Sequence, residues 1–461
     1  MTELDLNRPD MAALGRQAVD MLADWLDTLE KSPASDYSPP DGLAERLRRP
    51  PAAGPGHFGE LAETFLRAAG QGVNTAGPGY LAYFPAGGLY SAALAELLAN
   101  AANRYTGLAQ MSPALVAMEH GVLTWLCGQF GLPPGAGGVT TSGGSTATLS
   151  AVLAARQSRL GDDLSGATLY VTGHTHHCVA KAARICGLPA AAVREVPMTD
   201  DLRMDVRAAA GLIAADRAKG LRPFLLAGTA GTTGTGTIDP LPEAADLAAR
   251  EGLWFHVDAA YGGGFQLTER GRPLLTGMER ADSIALDPHK SMFLPYGTGV
   301  LLVRDPATLH AAHADGGDYL QDLAAMDGLP DFANLGVELT REFRGLRLWL
   351  PLHLHGVDAF TCELEEKLDL AAVVHRELAA DPRFSVPWRP DLTVVVFRLR
   401  DGDDERNRRL LQEINDGGQI YLSSTNVQGR LYLRLCVLSF RTHARHVDRA
   451  LETIRAAADV G

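Results

Sequence analysis

Between residues 137 and 303, short runs rich in β-formers alternate with Ala-, Leu- and Arg-rich segments. The runs are Ala167–Thr172, Ala192–Val196, Pro223–Thr229, Leu253–Val257, Ser283–Leu286 and Val300–Val303. Parallel neighbours in a sheet cannot be joined by a hairpin and need a long crossover, usually a helix. The alternation therefore predicts an α/β fold class, with a mostly parallel central sheet sandwiched by helices.

The flanking sequence differs. Residues 10–31 place Met11, Leu14, Ala18, Met21, Leu22, Trp25, Leu26 and Leu29 at helical spacing, the mark of an amphipathic helix. Pro33, Pro39, Pro40, Pro50, Pro51 and Pro55 then impose loops and short helices. A further helix is expected from Pro113 to Phe130 with Ser112 as its cap, and a long helical region from Glu338 to Ala379. After it, Thr393–Arg400, a charged helix, Gln419–Ser423, Leu431–Leu438 and a closing helix read as a small α+β domain. A chain of 461 residues exceeds one compact core. Three parts are expected: an N-terminal helical segment over 1–80, a large α/β domain over 81–350 and the small C-terminal domain over 351–461.

Charge and cysteine usage exclude several roles. Lys and Arg total 42 against 55 Asp and Glu, a formal net charge of −13. That balance disfavours nucleic acid or an anionic membrane as the main partner. Cys127, Cys178, Cys186, Cys362 and Cys436 are scattered and odd in number, and they form no CxxC pair. Reduced thiols in a cytoplasm fit this better than a disulfide framework or a metal site. The start, Met1-Thr2-Glu3-Leu4-Asp5, has neither the basic residues nor the apolar run of a signal peptide. The uncharged stretch 68–95 is broken by Pro78 and Pro85, so no membrane span is expected.

The chemistry concentrates at predicted strand ends. Thr140-Thr141-Ser142-Gly143-Gly144-Ser145-Thr146 opens a helix, where free N–H groups and the helix dipole favour a phosphate. A plain capped turn would look the same. His176 follows the run Ala167–Thr172 and could stack on a flat ring; a core or surface histidine is the alternative. Thr233 lies in the loop-like Gly228-Thr229-Ala230-Gly231-Thr232-Thr233-Gly234. His256-Val257-Asp258-Ala259-Ala260-Tyr261-Gly262-Gly263 sets Asp258 at a strand end, and Asp287-Pro288-His289-Lys290 comes one strand later. Pyridoxal 5'-phosphate (PLP) chemistry requires such a pair. A lysine holds the aldehyde as a Schiff base, and a carboxylate keeps the pyridine nitrogen protonated so that the ring accepts electrons. No metal is called for.

In that order, these motifs resemble the group II PLP-dependent amino acid decarboxylases, which include the aromatic L-amino-acid, glutamate and histidine decarboxylases. Gly79-Tyr80-Leu81-Ala82-Tyr83-Phe84-Pro85 resembles their substrate-pocket stretch, and Phe343-Arg344-Gly345-Leu346-Arg347-Leu348-Trp349 a helix that follows their mobile loop. The resemblance implies the PLP-dependent transferase fold, type I. It makes Lys290 the Schiff-base lysine, Asp258 the pyridinium partner and His176 the ring-stacking base. Ala260 would pack on the other ring face. Gly144, Ser145, Thr233 and His289 would complete the cofactor shell, and Tyr80, Tyr83 and Phe84 the substrate pocket. It also implies a homodimer, wrapped by the N-terminal segment, with the active site at the interface.

The reaction so implied is α-decarboxylation of an L-amino acid, aromatic by the pocket residues, through a Schiff base and a quinonoid. Counting back from Arg341-Glu342-Phe343-Arg344, the proton-donating loop tyrosine of the family falls on Phe332, which has no acidic proton. Phenylalanine at that place accompanies aldehyde formation in the resembling aromatic acetaldehyde synthases. The alternative product is thus an aldehyde with ammonia and hydrogen peroxide, unless Tyr319, His310 or His313 serves instead. An aminotransferase on the same fold is a further alternative. Two departures stand out: Asp287, where the family often has Asn, and Ala86, where aromatic decarboxylases often place a hydroxyl.

Overall fold

A computed structural model describes residues 4–38, 42–314 and 326–460. Seven strands build the central sheet: β1 (Gly137–Thr141), β2 (Ala167–Thr172), β3 (Val193–Val196), β4 (Arg222–Thr229), β5 (Trp254–Asp258), β6 (Ser283–Leu286) and β7 (Gly299–Val303). Their order across the sheet is β1-β7-β6-β5-β4-β2-β3. Only β7 runs against the rest, pairing antiparallel with β1 and β6, while the other pairs are parallel. The runs expected as strands all fall in this sheet. Its inner strands are buried along their length, which is why they read as continuous apolar runs rather than alternating ones.

Strand β1 escaped the sequence reading because it opens on Gly137-Gly138, a poor β-former pair. The glycine is demanded by packing: a Cβ at Gly138 would come 2.1 Å from the Leu301 carbonyl oxygen. Ser112 does occupy the cap position of the helix Pro113–Gln129, but its side chain makes no capping bond. The long helical region is shorter than expected and broken. Residues 338–344 are not helical, and helices Gly345–His355 and Val357–Ala380 meet at Gly356, whose φ is +77°.

The C-terminal sheet contains β8 (Phe384–Ser385), β9 (Val394–Leu399), β10 (Ser423–Val427) and β11 (Arg430–Cys436), ordered β8-β9-β11-β10 and antiparallel throughout. Strand β9 alternates between two cores. Val394 and Val396 join the large one, while Val395, Phe397 and Leu399 join a second under helices Asp404–Asp416 and Ala444–Val460. The expected strand Gln419–Ser423 is only an approach to β10. There the Tyr421 N–H donates to the Gly79 carbonyl (2.9 Å) and its carbonyl accepts from Leu81 N–H (3.0 Å).

The N-terminal helix spans Arg8–Thr28, with the Asn7 side chain accepting from Asp10 N–H and Pro9 in the first turn. It buries none of its residues and lies against a second such helix, Phe58–Ala69. Beyond it, the Glu30 carboxylate meets Arg445 and His446; the Arg445 guanidinium, chiefly, lowers it to about 2.

One buried ion pair braces the sheet edge that carries the site. Arg341 makes two bonds to Glu119 (3.1 and 2.6 Å) and also donates to Thr140 on β1. Both side chains are sealed from solvent. Removing one member strands the other charge without water. Arg341→Met is therefore expected to cost about 3–5 kcal/mol, read from urea unfolding; a loss below about 1 kcal/mol would contradict the bracing role.

Candidate active site

Because the sheet is mostly parallel, β1, β2, β4, β5 and β6 end on the same edge, where ligands sit in open α/β folds. A cavity of about 300 Å³ opens there. Each strand end adds residues to its wall: Ser142–Thr146 after β1, His176 and Cys178 after β2, Gly231 and Thr233 after β4. Asp258, Ala260 and Tyr261 follow from β5, and Asp287, His289 and Lys290 from β6. Phe84 closes one side.

The anion seat is built by close approach. Gly143 precedes the helix Gly144–Leu160, whose first N–H groups have no intrahelical acceptor. A Cβ at Gly144 would lie 3.0 Å from Asp287 Oδ2 and 3.3 Å from the Ala260 Cβ. A Cβ at Gly299, the first residue of β7, would strike the Gly143 Cα at 2.5 Å. Two strands and a helix start can therefore meet only through glycine.

Lys290 Nζ lies 2.9 Å from Asp287 Oδ2 and sits over the Phe84 ring, 5.1 Å from its centroid. His289 Nδ1 donates to the Thr298 carbonyl (2.7 Å), which leaves Nε2 facing Asp287 at 3.7 Å. Asp258 Oδ1 accepts from Ala260 N–H at 3.1 Å. Two residues earlier on the same face of β5, His256 Nδ1 meets Ser283 Oγ (2.9 Å), and burial lowers this imidazole to about 4, so it stays neutral. Burial likewise pulls His176 below its ordinary range, against the raising effect of Asp258. Its Nδ1 accepts from Cys178 N–H at 3.3 Å. A neutral imidazole is the form that stacks on a heteroaromatic ring without repelling its cationic nitrogen.

Of the residues picked from the sequence, Gly144, Ser145, His176, Thr233, Asp258, Ala260, His289, Lys290 and Phe84 come together at this cavity. Three do not. Tyr80 is buried where the Gly79–Leu81 backbone pairs with Tyr421, and its ring lies against that of Tyr421, centroids 6.3 Å apart. Tyr83 takes a left-handed φ of +47° that turns its side chain outward, 61% exposed. Phe332 is only 1% exposed and packs in the core under the Arg341 guanidinium, 4.8 Å from its ring centroid. His310 and His313, on the helix Ala307–His313, do not line the cavity either, and Tyr319 lies outside the described residues.

Arg434 was missed. It lies on β11 on the face shared with Tyr432 and Cys436, which belong to the large core, so strand alternation points it towards the cavity wall. Its Nε donates to the Thr233 carbonyl (2.9 Å) and Nη1 to the Tyr83 carbonyl (2.6 Å). Nη2 is buried without a partner among the described residues. The guanidinium covers Phe84 at 4.7 Å, while Tyr261 stacks on the same ring at 4.4 Å. A lone Arg in the apolar run Leu431–Leu438 was the available signal.

An amine, a strand-end carboxylate, a glycine-walled anion seat and neutral rings are the groups PLP needs, and the orphaned Arg434 Nη2 and Asp287 Oδ1 show polar capacity still unspent. Residues 55–400 match the family model described as the pyridoxal-dependent decarboxylase conserved domain. The chain belongs to the pyridoxal-dependent decarboxylase family. It is 32% identical to an aromatic-L-amino-acid decarboxylase of Bacillus atrophaeus, over 99% of this chain and 97% of that protein. A crystal structure of Oryza sativa TDC with PLP and tryptamine superposes with a TM-score of 0.94 at 31% identity, covering 100% and 99% of the two chains. The Rhodiola rosea 4-hydroxyphenylacetaldehyde synthase gives a TM-score of 0.89 at 25% identity, covering 99% of each. The protein is thus a PLP-dependent carboxy-lyase on the type I fold, with PLP as its cofactor.

The glycine wall of the anion seat is testable. Overpacking at Gly144 should cost on the order of 1–3 kcal/mol, so Gly144→Ala is expected to weaken PLP uptake about tenfold or more. Titration of the visible absorbance of the bound cofactor would measure it. Unchanged uptake would mean that the cofactor's anion sits elsewhere.

Proposed function

We propose that this enzyme removes the α-carboxylate of an aromatic L-amino acid and releases the amine. The observation that carries the reading is the convergence of Lys290, Asp258 and His176 on one cavity. Bound PLP supplies an electron sink conjugated to the substrate's Cα. In this reading Lys290 Nζ makes the covalent attachment to the cofactor's aldehyde. Asp258, at the end of β5, holds the proton on the pyridine nitrogen by an ion pair. The neutral His176 ring stacks on one face, and Ala260 packs on the other. Gly144 and Ser145 offer backbone N–H groups to the phosphate, with Thr233 and His289 alongside. Phe84, clamped between Tyr261 and Arg434, presents an aromatic wall to an aromatic side chain. Arg434 adds positive potential where an amino acid's carboxylate enters.

The working unit we propose is a cytoplasmic homodimer. Met11, Val19 and Leu22 on the first helix and Phe58, Leu61 and Phe65 on the second are exposed apolar side chains on helices that bury nothing in their own chain. A second copy would cover them and bring Tyr80, Tyr83 and the Phe332 segment into the context of a shared site. The division into parts 1–80, 81–350 and 351–461 belongs to the same reading.

A second outcome rests on Phe332, whose ring carries no transferable proton, and on the likeness to an aldehyde synthase. There the amino acid, O₂ and water would yield aldehyde, CO₂, ammonia and hydrogen peroxide. Incubating the PLP-loaded enzyme under air with L-Phe, L-Tyr, L-Trp and L-Dopa separates the two. CO₂ matched by amine is expected, and CO₂ matched by aldehyde and peroxide would establish the oxidative reaction. In that case Phe332→Tyr should shift the product towards amine. Lys290→Ala is expected to lose turnover, since the amine that attaches the cofactor is gone; near-wild-type CO₂ release from it would overturn both readings.

A further inference from the structure

The Asp287 side chain borders the anion seat. Its residue is 3% exposed, and Oδ2 lies 3.0 Å from the position a Gly144 Cβ would take, while Oδ1 lies 3.9 Å from that of Gly143. Among the described residues Oδ1 has no hydrogen-bond partner, although it is buried beside the start of the helix Gly144–Leu160, which has no acidic residue in its first turn. Oδ2 holds Lys290 Nζ at 2.9 Å. A buried carboxylate with one oxygen spent on the lysine and the other unpaired thus lies against the helix start that would take a phosphate.

We propose that phosphate capture at this helix start is coupled to uptake of a proton by the Asp287–His289 pair. This rests on the reading of the Gly143–Ser145 turn as the phosphate seat. The physical reason is charge. A phosphate brought against the same helix start adds nearly two negative charges beside a carboxylate that 3% exposure keeps from water. Among the described residues Lys290 is the only ammonium paired to Asp287, and His289 Nε2 faces it at 3.7 Å. The Arg434 guanidinium is engaged with the Thr233 and Tyr83 carbonyls and the Phe84 ring, with Nη2 left unpaired. From the elements packed around them, Asp258 adds a further negative charge, and His176 and Cys178 are pushed by burial towards their neutral forms. The helix Gly144–Leu160 contributes N–H groups but no cationic side chain in its first turn. A proton from solvent, placed on Asp287 or on His289 Nε2, restores the balance. Asparagine at this position would bind the phosphate without that proton, being neutral already.

The test is the pH dependence of PLP binding to the cofactor-free protein, in wild type and Asp287→Asn, between pH 6.5 and 8.5. Wild-type affinity is expected to fall with rising pH by up to about tenfold per unit more than that of the variant, the slope of one linked proton. Calorimetry in buffers of different ionisation heat should show the matching excess proton uptake. Asp287→Ser serves as a second neutral variant if the first misfolds. Equal slopes in wild type and neutral variants would overturn the proposal. PLP that binds none of them at any pH would instead overturn the cofactor-site reading on which it rests.

Discussion

An ammonium group at the inner edge of a buried sheet must be compensated, and most of this molecule's functional architecture follows from how Lys290 is. Asp287 Oδ2 takes it at 2.9 Å, from one turn of the same short helix Pro288–Ser291. That carboxylate fits only because Gly144 has no side chain, and Gly143 can lie against β7 only because Gly299 has none. The edge strand β1 is in turn held by Thr140 to the sealed Arg341–Glu119 pair. The position of one amine thus depends on a chain of close backbone contacts and one buried charge pair. Apart from the Asp287–Lys290 pair, these contacts join residues far apart in sequence.

The α/β architecture was legible because parallel strands buried on both faces write themselves as apolar runs separated by helical crossovers. The site was legible for a related reason. A mostly parallel sheet collects its strand ends on one edge, so residues just after each run had to converge. Asp258, His176 and Lys290 could be placed together without knowing any register. Boundaries where glycine or tertiary pairing rules were less visible. Strand β1 hid behind Gly137-Gly138, and Gln419–Ser423 was taken for a strand although its backbone pairs with Gly79–Leu81.

Three residues picked from the sequence do not line the cavity within one chain. Tyr80 and Tyr83 sit four residues and one residue from Phe84, yet only Phe84 reaches the cavity. The intervening chain passes along the C-terminal sheet and then turns through the left-handed φ of Tyr83. Sequence spacing says nothing about such a turn. Phe332 aligned with a loop tyrosine by simple counting, but in a single chain it is a core residue under Arg341. Arg434 is not singled out by the sequence motifs, although alternation makes it the residue facing the site.

The central claim is that Lys290, and no other lysine, carries the cofactor. Borohydride reduction of the PLP-loaded protein followed by peptide mapping tests it directly, because reduction fixes a pyridoxyl group on whichever amine held the aldehyde. A stoichiometric adduct on the peptide containing His289-Lys290 is the expected result. An adduct on Lys31, Lys181, Lys219 or Lys367 instead, or none at all from protein that has taken up PLP, would contradict it.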